Sequence, residues 1–111
     1  MVAPPTSEDK SISDQIKSEM FLKFQTALAL LQAIQYDEFG HYPMKKKRVE
    51  EFQARVYVLY LDLLPRMVKE DKVKFKDFEE ISKGNKVNLS FKRTVSYFIE
   101  LRAILFNVFQ L

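Results

Sequence analysis

The ten residues RVYVLYLDLL, positions 55–64, can be read in two ways. Val56, Tyr57, Val58 and Tyr60 are β-branched or aromatic, which suits a buried strand. The same residues also continue a helical stripe. Val49, Phe52, Val56, Leu59, Tyr60 and Leu63 recur at intervals of three and four and share one face. Helix is the preferred reading, because the flanks are helical and no second strand is available to pair with. A short i,i+4 ladder supports it: Glu51 with Arg55, and Asp62 with Arg66, each contributing a few tenths of a kcal/mol. Pro65 lacks an N–H and crowds the preceding turn, so the helix kinks or stops there.

Working outward from that helix gives an all-α fold. The first helix is expected from Ser11 or Ser13, either of which can cap. Ile12, Ile16, Met20, Phe24, Ala27, Leu31 and Ile34 form its stripe. Phe21, Leu22, Leu28 and Leu30 widen that stripe until the middle is apolar almost all round. Gly40 is placed to end it in a left-handed cap. A short helix is expected around Phe75, Phe78 and Ile81, stopped by Gly84-Asn85. The last helix begins near Asn88 or Ser90. Phe91, Val95, Phe98, Arg102, Leu105 and Phe109 are read as one face, with Leu101, Ile104 and Val108 opposite. The expected architecture is a compact helical bundle of three long helices and one short helix, roughly 11–39, 44–69, 75–83 and 89–110. Residues 1–10 are expected to be a disordered tail, and 11–111 a single helical domain.

The composition fits that picture. The 111 residues include only two Gly and four Pro, few for an all-β chain with many tight turns. There is no Cys, so neither a disulfide framework nor a thiolate metal site can form. No apolar run is long enough to cross a bilayer, and the N-terminus lacks a signal-peptide core. A cytoplasmic protein is expected. The net charge is +3 but uneven. Up to Gly40 the acids outnumber the bases; from His41 onward the bases outnumber the acids.

Catalysis finds little material here. His41 is the one histidine, too few for a histidine-rich metal site. Asp37-Glu38, Glu50-Glu51 and Glu79-Glu80 are adjacent pairs, and helical neighbours point about 100° apart, so none converges. SKGNKV (82–87) lacks the spacing of a phosphate loop. No catalytic residue, metal, cofactor or small-molecule substrate is expected. Asp62, Glu100 and Arg102 interrupt apolar stretches and are expected to pair with one another or with Arg55 and Arg66.

Two basic segments remain. Lys45, Lys46, Lys47 and Arg48 sit at a helix start, where the dipole favours acids; misplacement costs about 0.3–1 kcal/mol per charge. The same corner, with its free N–H groups, suits phosphate. From Ile81 to Ile99 there is no acid, while Lys83, Lys86, Lys92 and Arg93 are basic. Short helix, Gly-containing turn and polar-basic second helix over 75–102 resemble a helix-turn-helix hairpin. Ser90, Lys92, Arg93, Ser96 and Tyr97 would then be the contacts, although the turn is longer than the usual three or four residues.

The sequence therefore points to a small non-enzymatic accessory subunit. Apolar helices would dock on a protein partner or a second copy, and a basic edge would meet nucleic-acid phosphates, DNA ahead of RNA. The alternative is a structural or assembly protein, a homo-oligomer or scaffold component, with no nucleic-acid role. Membrane-surface binding is disfavoured, because the apolar positions of the last helix spread too widely for a one-sided interfacial helix.

Overall fold

The computed structural model describes residues 5–37 and 42–110, with side chains from Ser13 and Pro43 onward in the two segments respectively. Residues 55–63 are α-helical, which settles the strand alternative. Helix α1 spans Pro5–Gln35, α2 Tyr42–Leu63, α3 the single turn Lys69–Lys72, α4 Lys76–Ser82 and α5 Phe91–Val108. No strand occurs among the described residues.

The first helix begins ahead of the expected Ser11–Ser13 start. Pro5 explains this: its fixed φ and missing N–H suit a first helical position. The expected tail is thus helical from residue 5, and residues 1–4 lie outside the described ones. So does the Gly40 cap.

The boundary expected at 69 is corrected to Leu63. Pro65 cannot continue the α-helical ladder, so the chain tightens into a 3-10 turn, Leu64–Arg66. The backbone extends at Met67 and Val68 before α3. The end of α4 follows its sequence. Gly84 adopts φ +84°, donating its N–H to Ile81 O at 2.9 Å, while Asn85 N–H reaches Glu80 O at 3.1 Å. That is a Schellman ending, and the positive φ is what calls for glycine. Ser90 caps α5 by accepting the Arg93 N–H at 3.1 Å, as the sequence suggests.

The core is strongly aromatic. Phe24 stacks on Phe98 with centroids 4.4 Å apart, and Phe52 meets Phe98 edge-on at 5.6 Å, joining α1, α2 and α5. A second cluster forms around Phe78, which lies 5.4 Å from Tyr57, 5.2 Å from Tyr60 and 4.8 Å from Tyr97. It fastens α4 to α2 and α5. Such pairs add about 0.5–1.5 kcal/mol each beyond area burial. Phe75 and Phe78 are buried, as their spacing implies.

Lys23 donates to Asp62 across α1 and α2 at 2.6 Å, so the start of α1's packed region meets the end of α2. These two helices are antiparallel. By contrast, Gln53, midway along α2, donates to Leu89 O at 3.0 Å and to Thr94 Oγ1 at 3.4 Å. The start of α5 therefore lies beside the middle of α2. The two helices run the same way, and the segment 64–90 carries the chain back along α2.

The apolar faces are narrower than the sequence suggests. In α5 the buried residues are Thr94, Tyr97, Phe98, Leu101, Ile104 and Leu105. The face is rotated by about one position: Arg102 points out, its guanidinium 5.2 Å from the Phe106 ring, and Leu101 and Ile104 point in. In α1, Phe21 stacks on Phe106 and Leu30 packs on the core, but Leu22 is 65% exposed. Half of the residues that widen the α1 stripe are thus packed, Phe21 and Leu30, and half, Leu22 and Leu28, are exposed.

The charges within apolar stretches do not pair as expected either. Asp62 takes Lys23 and Glu100 takes Lys74 at 3.6 Å. The Glu51–Arg55 pair is present at 3.6 Å. All are partly exposed, so each is worth about 1 kcal/mol or less.

Candidate nucleic-acid interface

The two basic segments meet different fates. Lys83 lies 3.4 Å from Glu79 and 3.8 Å from Glu80, both in α4, the helix it follows. Arg93 forms an ion pair with Asp77, and its Nε donates to the Tyr97 hydroxyl at 3.1 Å. Tyr97 in turn donates to Asp77 Oδ2 at 2.7 Å. This closed triangle ties α4 to α5. Burial raises the Tyr97 hydroxyl above its usual pKa of about 10, and the bond to Asp77 adds to it. The Tyr97 contact and the Asp77 charge hold Arg93 still more firmly protonated.

This bears on the groove-insertion reading of 75–102. The hairpin exists, and of the five expected contacts Ser90, Arg93 and Tyr97 are engaged within the fold, while Lys92 and Ser96 are exposed. Tyr97 is buried, Arg93 is held by Asp77, and the Ser90 hydroxyl caps α5. Ser96 donates back to Lys92 O at 3.3 Å. The connection 83–90 is also long for that motif. Lys83 and Arg93 accordingly leave the set of open cations.

The other six bases are not matched. Among the described residues no ion pair reaches Lys45, Lys46, Lys47, Arg48, Lys86 or Lys92. Lys45, Lys46 and Lys47 are exposed, as are Lys86 and Lys92; Arg48 is half-buried. Tertiary structure brings two of them against the loop that leads into α5. Lys45 and Lys46 share an open hollow of about 490 Å³ with Glu50, Gln53, Asn88 and Leu89. Lys86 lies two residues before Asn88, and Lys92 three after Leu89. The start of α5 lies close by, against the middle of α2, and it has no acid in its first turn. Lys45, Lys46 and the approach to the α5 start thus face one region, with Glu50 the acid lining it.

Sequence reasoning missed what closes this end. Gln53, Asn88 and Leu89 carried no motif. Gln53 is a tertiary bridge: it holds the loop before α5 against α2 and also reaches Thr94, which is fully buried. The matching role of Asp77 was equally hidden, since its partners lie sixteen and twenty residues away.

Among the described residues no group of three or more His, Cys, Asp or Glu side chains could hold a metal. No helix among them is long and apolar enough to cross a membrane. His41 lies outside the described residues. No protein-family model, curated protein sequence or solved structure matches the chain. What fold and site define is an all-α bundle with an electropositive end.

Proposed function

We propose that this chain is a small non-enzymatic binding protein whose electropositive end contacts nucleic-acid phosphates. One observation carries the reading: Lys45 and Lys46 of α2 share an open hollow with Asn88 and Leu89, the residues leading into α5, and neither lysine has an ion-pair partner among the described residues. Free N–H groups and lysines favour phosphate oxygens for the same electrostatic reason. Contacts of this type give affinity that falls with salt and little sequence selectivity.

Fluorescence anisotropy with labelled duplex and single-stranded DNA at two salt concentrations tests this. Binding that weakens as salt rises is expected. No binding at low salt, or no loss when Lys45–Arg48 are replaced by alanine, removes the proposal.

The assembly reading has its own support. Leu22, Val73 and Ile99 are 60–69% exposed, and docking on a protein or a second copy would cover them. Light scattering decides: a monomer at all concentrations counts against self-assembly.

A further inference from the structure

The lysine hollow has a neighbour of opposite character. A second hollow, of about 420 Å³, opens beside it and shares Gln53, Asn88 and Leu89 as a common wall. Its remaining lining is Ala54, Tyr57, Phe78, Ile81 and Val87. This volume falls in the range of small-molecule sites, and the lining is largely apolar and aromatic with a few polar groups. Tyr57 is half-buried and packs on Phe78, so its ring is held in place. The Asn88 side chain, on the shared wall, is exposed.

A nucleotide has the matching division. Its phosphate is an anion; its base is a flat ring with an apolar face and a hydrogen-bonding edge. We infer that the paired hollows form one site for single-stranded nucleic acid: phosphate at Lys45 and Lys46, an unpaired base in the hollow beside Tyr57. Asn88 offers both a donor and an acceptor to the base edge. A duplex keeps its bases stacked and paired, so it can fill the lysine half but not the other. Stacking on aromatic side chains is tolerant of sequence, and the single strand therefore binds with little base preference. This inference rests on the phosphate reading of Lys45 and Lys46.

The test separates the two. The full chain is titrated at low salt against three labelled probes with equal numbers of phosphates. These are oligothymidine, a mixed-sequence duplex, and an abasic strand that keeps the backbone and lacks every base. Oligothymidine is expected to bind about tenfold tighter than the abasic strand. Ala54 lines the hollow from an exposed helical position, and Ala54→Leu adds bulk at that wall. It should bring oligothymidine down to the abasic level while leaving abasic binding unchanged. Asn88→Ala, at an exposed loop position, should lower oligothymidine binding alone by a smaller factor. Circular dichroism confirms that both variants remain helical. Equal binding of oligothymidine and the abasic strand overturns the base hollow and leaves the phosphate reading standing, as does an Ala54→Leu variant that binds oligothymidine normally. If none of the three probes binds, the phosphate reading itself falls.

Discussion

The segments around Lys45–Arg48 and Lys83–Arg93 look alike in composition but differ in what surrounds them. In the second, Glu79, Glu80 and Asp77 supply carboxylates to Lys83 and Arg93, and the charges work inside the fold. In the first, no described carboxylate reaches the run, and the helix dipole opposes it. The difference teaches that a basic run means little until its acids have been located. Lys83 and Arg93 are matched within the fold, whereas Lys86 and Lys92 share with Lys45–Arg48 the lack of an ion-pair partner among the described residues.

The sharpest way to stress the clamped region is to remove its aromatic hub. Phe78→Ala should cost about 3–5 kcal/mol of stability in denaturant unfolding, because Phe78 is fully buried against three tyrosines. A cost below about 1 kcal/mol would show that α4 is not part of the cooperative core. Next, replacing Lys45, Lys46, Lys47 and Arg48 by alanine should weaken DNA binding on the order of 100-fold at low salt and flatten its salt dependence. Stability should rise, by about 0.3–1 kcal/mol for each removed charge close to the helix start. Lys83→Ala should leave binding unchanged; equal losses from both would erase the contrast between the segments.

Asp77→Asn moves the boundary between the regions. It removes the carboxylate shared by Tyr97 and Arg93, and thermal or denaturant unfolding should report a loss of about 1–2 kcal/mol. It also releases Arg93, so DNA binding should tighten a few-fold. Ser90→Ala deletes the α5 cap and should cost about 1 kcal/mol, read from the same unfolding curves.

The smallest effect is a pH dependence. Tyr97 and Tyr60 have raised pKa values, chiefly through burial. Folding therefore favours the protonated phenols. Their contribution is complete below pH ~10, the unfolded value, and is lost as pH rises through the higher folded values. Ultraviolet titration should show tyrosines ionising late in the folded protein, with Tyr97→Phe removing one of them. A single transition for all tyrosines near pH ~10 would contradict the burial.

Much of the fold was legible because spacing alone carries it. Phe52, Val56, Leu59 and Leu63 announce α2, and Gly84-Asn85 and Ser90 mark ends that the backbone confirms. The face of α5 was misjudged, since periodicity cannot say where the centre of an apolar arc lies when Ile99, Leu101, Ala103 and Ile104 crowd together. That centre is set by Phe24 on one side and Phe78 on the other. The candidate interface was half legible. The lysines were visible, but which were already matched depended on Asp77, distant in sequence. The wall made by Gln53, Asn88 and Leu89 exists only once α2 and α5 lie side by side.

That side-by-side arrangement has a kinetic consequence. An antiparallel α1–α2 hairpin can close across a short connection, but α5 reaches its place only after residues 64–90 have looped back. Closing that loop early is entropically unfavourable. The α1–α2 hairpin should therefore form first and α5 dock late. Mutations at Phe98 would then speed unfolding more than they slow folding.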